Sequence, residues 1–360
     1  VKGETHPRLN VADFSYENFI KYVPAKALKN KYLEFCGVFG DAIMHKDVYK
    51  IFEYCKTAGA SHITLDTNGG VKSKEWWGKL AQLGVGVTFS VDGHRETNHL
   101  YRVNTKFSKI LENMKAFSKA GGTGCWEYIV FDHNESEIEI AREEAKKLGF
   151  EFVLRRSSRN TESWTSYIKR KENGKTVIKK FTVSQTNKKY QHSKENEVIK
   201  SSDDHIQINE KLTKKEIKCL LYNDKKLFLS FDGKLWPCCY FNDIYKSKGT
   251  INNEDHIYEM KSFDKLKELD KKFGLNWNSV LHHSWEEILN HEYYTSILPG
   301  TFNENSDKFQ SEFVVPKCMS KCGNTGKLRD TEYISVNKDG TVPSDWVSTS
   351  KQFGWNPSDN

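Results

Sequence analysis

Val85-Gly86-Val87-Thr88-Phe89-Ser90-Val91-Asp92-Gly93 is the stretch that decides how the first half of this chain folds. A short apolar run closed by Asp-Gly, a turn-forming dipeptide, reads as a buried strand. The same unit recurs on either side. Upstream, Lys31 to Cys36 reads as a strand ending in glycines. Val48, Ile51, Phe52 and Cys55 then fall at helical spacing, and Ile63-Thr64-Leu65 is a strand closed by Asn68-Gly69-Gly70. A helix carrying Trp76, Trp77, Leu80 and Leu83 leads into the quoted strand. Downstream, Phe107, Ile110, Leu111, Met114 and Phe117 mark a helix ended by Gly121-Gly122. Strands at Trp126 to Phe131 and Phe150 to Leu154 flank a further helix, Glu135 to Leu148. Strands separated by single helices must be parallel, because each crossover returns the chain to the same end. The expected class is α/β. Phe14 to Tyr22 reads as a helix ahead of the first strand, and a helix in that place implies a strand before it, so a missing first β-strand is expected.

Beyond residue 155 the pattern changes. Residues 156–216 are polar and lysine-rich, with one hairpin, Tyr167 to Phe181, turning at Asn173-Gly174. This insert reads as a solvated, lysine-coated surface, with a nucleic-acid groove as the alternative. A second domain is expected over 217–330, opened by a hairpin from Leu227 to Trp236 about Asp232-Gly233 and followed by helices near Ser262 to Phe273 and Ser284 to Ser296. Residues 331–360 are expected to form a C-terminal hairpin (Ser335 to Pro343) and tail. The chain of 360 residues is 29% charged with a net charge of +7, has no membrane-span-length apolar run, and opens without a signal peptide, so a cytoplasmic protein with no membrane partner is expected.

Eight cysteines in such a chain point to ligands or buried thiols rather than to a disulfide framework. Cys36 and Cys55 sit on apolar faces and read as core thiols. His45, His94 and His99 read as exposed loop residues. The second half has C-x13-G-x4-C, from Cys219 through Gly233 to Cys238, and later Cys318-x3-Cys322. Four thiolates suit a [4Fe–4S] cluster, one per iron. Tetrahedral zinc also takes four cysteines, usually from two short knuckles, and a whole hairpin between the first pair fits that poorly. Buried thiols are the bland alternative. Cys239 adjoins Cys238, and the spacing from Gly233 picks Cys238.

The C-x9-15-G-x4-C signature resembles the auxiliary-cluster domain, SPASM or its shorter twitch form, of radical S-adenosylmethionine (SAM) enzymes. Pro237-Cys238-Cys239-Tyr240, Gly249-Thr250-Ile251 and Ser284-Trp285-Glu286-Glu287-Ile288-Leu289 are also similar to it, and the number of cysteines matches the twitch form better. Phe39-Gly40-Asp41-Ala42-Ile43-Met44 resembles the same enzymes' "GGEP" segment, with Asp for Glu and Ala for Pro. Thr67-Asn68-Gly69 resembles their "TNG", and Ser90-Val91-Asp92-Gly93 with Thr97-Asn98 and Tyr101-Arg102 their "S-x-D-G…R". Trp126 to Asn134 resembles the strand whose backbone flanks the adenine. The resemblance covers about residues 1–155 and 217–325 and implies a partial parallel (βα)6-type barrel lacking its first strand, followed by a small α+β cluster domain. It further implies that Gly40, Asp41, Asn68, Ser90, Asp92 and Arg102 bind SAM. In it Asp41 takes the ammonium, while Ser90 and Arg102 are the best candidates for the ribose and carboxylate. The resemblance likewise implies that Cys219, Cys238, Cys318 and Cys322 hold an auxiliary [4Fe–4S] cluster, which is expected to pass an electron out or ligate substrate.

The family's C-x3-C-x2-C, which holds the catalytic [4Fe–4S] cluster, does not occur in the sequence. Two readings compete: a fragment whose catalytic ligands lie upstream of Val1, which the retained motifs and the non-methionine start favour, or a degenerate homologue that kept binding and lost catalysis. The resemblance implies hydrogen abstraction by a 5′-deoxyadenosyl radical, an electron donor of flavodoxin or ferredoxin type, and a peptide or protein substrate. The lysine-rich insert, leaving the barrel after its last recognised strand, is expected to line a groove suited to an acidic chain; RNA is the alternative. A non-catalytic iron–sulfur or zinc module is the rival from another class.

Overall fold

The computed structural model describes residues 14–37, 40–157, 164–172, 175–183, 217, 219–247, 256–303, 310–322 and 331–334. Their contacts divide into two compact units, one of residues 30–183 and 331–334, the other of 14–29 and 217–322.

Helices α1 (Tyr16–Tyr22) and α2 (Ala25–Leu28) open the described chain and pack with the second unit. Strands β1 (Tyr32–Phe35), β2 (His62–Thr67), β3 (Gly86–Ser90), β4 (Gly124–Ile129) and β5 (Glu151–Ser157) of the first unit lie side by side in that order, all parallel. The five expected strands are thus present, and their sequence-order neighbours are the arrangement of a partial barrel. Between them run α3 (Val48–Thr57), α4 (Lys74–Gln82), the single turn α5 (Asn98–Tyr101), α6 (Phe107–Lys119) and α7 (Ile138–Lys147). Each longer helix buries one stripe. In α3 it is Val48, Ile51, Phe52 and Cys55, spaced as one helical face requires. Ser73 caps α4 by accepting from the Trp76 N–H, so the helix starts where Trp77 can turn inward. Phe89 of β3 meets Trp77 at 5.3 Å, Phe117 at 5.8 Å and Phe150 at 5.5 Å between ring centroids, the centre of the core on the helix side.

One sheet face is closed by these rings and the other is polar. Along β2 the buried residues Ile63, Leu65 and Thr67 alternate with the partly exposed His62, Thr64 and Asp66, and β3 repeats the alternation. Register sets Asp66 beside Thr88, Thr88 beside Cys125, and Ser90 beside Glu127, on that second face. A sixth strand, β10 (Thr331–Ile334), pairs antiparallel with β5 and was not foreseen; the hairpin expected at Ser335 to Pro343 lies outside the described residues. The hairpin expected about Asn173-Gly174 is present as the ribbon β6 (Trp164–Glu172) and β7 (Lys175–Val183).

In the second unit, β8 (Phe228–Leu229) and β9 (Leu235–Trp236) form the expected hairpin. Gly233 has φ +79° at its turn, a conformation that costs a side-chain-bearing residue. Helices Cys239–Ser247, His256–Phe273, Trp285–Leu289 and Pro316–Cys322 surround a core that includes Trp236, Phe241, Trp277, Tyr293 and Ile297. Ser284 and Glu287 make a reciprocal capping box, and the indole N–H of Trp285 donates to the Tyr22 carbonyl at 2.7 Å, tying α1 to this unit. No helix among the described residues is long and apolar enough to cross a membrane.

Candidate functional site

The carboxyl ends of β1 and β2 are stitched together by Asp41. One carboxylate oxygen accepts from the Ile43 N–H at 3.1 Å and so caps the 3-10 turn Ala42–Met44. The other accepts from the Thr67 hydroxyl at 2.8 Å and from the backbone and side-chain N–H groups of Asn68, each at 3.0 Å. Asp41 and Asn68, chosen separately from two motifs, therefore meet directly, and the buried Thr67 joins them. A Cβ placed on the adjacent Gly40 would meet nothing within 4 Å, so packing within the chain does not demand glycine there.

A second network fixes the end of β3. Asp92 is fully buried, accepting from the Ile129 N–H at 2.7 Å and from Arg102 Nε at 2.5 Å. Its backbone N–H donates to the Asn98 side chain at 3.0 Å, and its carbonyl accepts from Asn134 Nδ2 at 3.0 Å. Gly93 follows with φ +144°, and a Cβ there would sit 2.5 Å from the Asn98 nitrogen, so only glycine fits. Asp92 thus acts inside the protein. It aims Arg102, whose side chain keeps 26% exposure and whose guanidinium lies against the Tyr101 ring. Ser90 is partly exposed on the polar face. Asn134, read from the sequence only as the end of the segment Trp126 to Asn134, also donates to the Ile129 carbonyl at 2.9 Å and accepts from the Phe131 N–H at 2.7 Å.

Glu127 was missed. It sits one strand over from Ser90, with Arg155 of β5 as its ion-pair partner. Burial pushes its carboxyl up to about 7; Arg155 opposes the rise and Asp66 adds to it. Asp66 is raised in turn, chiefly by burial, against the help of its Thr88 hydrogen bond. The folded state therefore holds the Glu127 proton more tightly than the unfolded chain, whose ordinary value is 4.5. Stability from this group is present below 4.5 and is lost as pH rises through about 7, by about 3 kcal/mol. Glu127→Gln, which mimics the protonated form, is expected to flatten that slope when urea midpoints at pH 5 and pH 8 are compared; equal slopes in the two proteins would refute the assignment.

Four expectations are corrected, two of them for histidines that are partly buried rather than exposed: His45, and His99, which lies on α5. Cys36 is exposed rather than a core thiol, since it continues the alternation that exposes Tyr32 and Glu34 of β1, whereas Cys55 is buried on α3. His94 is buried, its ring 4.3 Å from Phe107, and its backbone N–H donates to the Glu137 carboxylate at 2.8 Å. Burial lowers its pKa and favours the neutral ring.

The four predicted cysteine ligands converge within the second unit. Cys318 and Cys322 stand one turn apart on the helix Pro316–Cys322. The Cys322 thiol is hydrogen-bonded to Cys219, which also accepts from the Tyr222 N–H at 3.4 Å. Cys238 lies within electrostatic reach of Cys219, Cys318 and Cys322. The hydrogen bond from Cys322 draws Cys219 down to about 6, while burial pushes Cys238 up to about 12 and Cys318 well above its ordinary value. Among the described residues, no three His, Cys, Asp or Glu side chains are gathered as around one metal ion. Sulfurs on a single zinc would stand about 3.8 Å apart, from the ~2.3 Å Zn–S bond. Four thiols within electrostatic reach of one another supply the type and number of donors that a [4Fe–4S] cluster takes. A surface depression of about 610 Å³ on α4 and α6 is lined by Lys74, Glu112, Lys115 and Lys119.

Residues 13–145 match the radical SAM superfamily. The radical SAM match contains Gly40, Asp41, Asn68, Ser90, Asp92 and Arg102 and ends before the four cysteines. Among solved structures, native anSMEcpe with bound AdoMet is similar over 42% of this chain and 48% of its own, at 16% identity and a TM-score of 0.31. Native anSMEcpe with bound AdoMet and Cp18Cys peptide is similar over 89% and 86%, at 12% identity and a TM-score of 0.43. SuiB of Streptococcus suis bound to S-adenosylmethionine is similar over 65% and 53%, at 12% identity and a TM-score of 0.36. The chain thus spans about half the length of the first and the last of these. No curated protein matches the sequence.

Proposed function

We propose that this chain is the greater part of a radical SAM enzyme with a twitch-like auxiliary [4Fe–4S] domain, acting on a peptide or protein side chain. The observation that carries the reading is the meeting of Asp41 with Thr67 and Asn68 inside the segment that matches the superfamily. When bound to its catalytic cluster, SAM supplies a 5′-deoxyadenosyl radical for hydrogen abstraction.

The chain's own residues bind and orient. Asp41 offers the negative charge for the SAM ammonium, held in place by Thr67 and Asn68. Ser90 and the Asp92-aimed Arg102 serve its ribose and carboxylate. The polar sheet face, with Asp66 and Glu127 beside Arg155, receives a polar substrate group by hydrogen bonds, and positioning over that face is the protein's share of the rate. Cys219, Cys238, Cys318 and Cys322 hold the auxiliary cluster.

Asp41→Asn is expected to weaken SAM binding to the full-length protein about tenfold to a hundredfold, from loss of a charge-assisted contact worth about 1.5–3 kcal/mol. Calorimetric titration measures this, and unchanged affinity would dismiss the role of Asp41. Because the sequence lacks C-x3-C-x2-C, residues 1–360 by themselves are expected to release no 5′-deoxyadenosine from SAM under dithionite. Clear turnover would place the catalytic cluster on other cysteines.

A further inference from the structure

Tyr293 is 2% exposed, and its hydroxyl is buried without a hydrogen-bond partner. Burying a hydroxyl unpaired is costly, so the group needs a reason. Its neighbour Tyr294 shows the ordinary solution, donating to the Leu235 carbonyl at 2.7 Å. The indole N–H groups of Trp236 and Trp277 in this core are unpartnered too; Tyr293 has Cys318, Cys238 and Cys219 within its electrostatic reach. Cys238 and Cys318 pack against the same aromatic cluster that contains it.

The backbone at Tyr293 is unusual as well. Tyr293–Ile297 forms a π-helical turn, a wide turn that is rare and concentrates at functional sites. The ring is wedged 4.8 Å from Trp277 and 5.2 Å from Tyr294, which fixes the direction of its hydroxyl. Neutral thiols are weak acceptors, whereas thiolate and sulfide sulfurs carry negative charge and accept strongly.

We propose that the Tyr293 hydroxyl donates a hydrogen bond to a sulfur of the iron–sulfur group held by Cys219, Cys238, Cys318 and Cys322, and thereby raises its reduction potential. The proposal rests on the four-cysteine reading above and makes Tyr293 a positioning and tuning residue, not a ligand. A donor aimed at cluster sulfur stabilises the reduced, more negative state.

The test uses the full chain, reconstituted anaerobically with iron and sulfide. Tyr293→Phe removes only the hydroxyl. At a fixed applied potential the variant's reduced-to-oxidised ratio is expected to fall about tenfold, equivalent to about 59 mV for a one-electron couple. In the wild type, deuterium exchange followed by electron–nuclear double resonance of the reduced cluster is expected to reveal an exchangeable proton coupled to it, and Tyr293→Phe should lose that signal. Tyr294→Phe is expected to lower stability and leave the potential where it was. An unchanged potential in an iron-loaded, folded Tyr293→Phe overturns the proposal. So does the absence of a coupled exchangeable proton in the wild type, which requires no variant to fold. Failure of the wild type to take up iron is a different result: it overturns the four-cysteine reading, and this proposal with it.

Discussion

Cys219→Ala, Cys238→Ala, Cys318→Ala and Cys322→Ala are each expected to abolish iron uptake by the reconstituted chain, while Cys36→Ala and Cys55→Ala keep about four irons and four sulfides per chain. The effect is all-or-none because each iron needs its own thiolate, so losing one ligand leaves an unstable remainder. The controls differ in kind. Cys36 is exposed and its replacement removes no packing, whereas Cys55 is fully buried on α3 and its replacement tests that a core thiol is no ligand. Cys239→Ala resolves the adjacent pair: retained iron leaves Cys238 as the ligand. Iron and sulfide analysis with the absorption band of thiolate-bound iron decides the outcome, and stoichiometric zinc with no iron would refute the cluster assignment.

These four residues also show what could be read from residue order. Cys318-x3-Cys322 declares one helical face by its spacing alone, and the hairpin about Gly233 brings Cys238 back toward Cys219. The parallel sheet was readable for a similar reason: each strand carries its own turn signal, and each helix its own stripe, so every element is specified locally. Asp41 and Asn68 were picked from local motifs and then found bonded to each other. What escaped is non-local. Tyr22 of α1 accepts from Trp285, 263 positions away, so the opening helix that reads as part of the barrel belongs to the other unit. β10 pairs with β5 although its four residues carry no periodicity of their own. Glu127 looks like any strand carboxylate until burial and Asp66 raise it, and Tyr293 like any core aromatic until its hydroxyl is found without a partner. Such groups acquire their chemistry from surroundings that residue order does not display.

Asp92→Asn is expected to destabilise the protein by about 3–5 kcal/mol, the usual cost of leaving one member of a buried ion pair uncompensated. The carboxylate is fully buried, and its loss leaves the Arg102 guanidinium without its anion at the end of β3. An asparagine oxygen can still accept from the Ile129 N–H, so the change isolates the charge rather than the backbone contact. Urea unfolding measures it, and a change below about 0.5 kcal/mol would show that Asp92 does not hold the strand end. The double variant Asp92→Asn with Arg102→Met separates structure from binding. Removing both charges should restore much of the stability lost by the single change, because replacing a buried pair with a packed apolar residue is often close to neutral. SAM affinity should not return with it if Arg102 itself reaches the cofactor. Recovery of both stability and affinity in the full-length protein would confine Arg102 to holding Asp92 and leave Ser90 and Asp41 as the polar contacts at the strand ends.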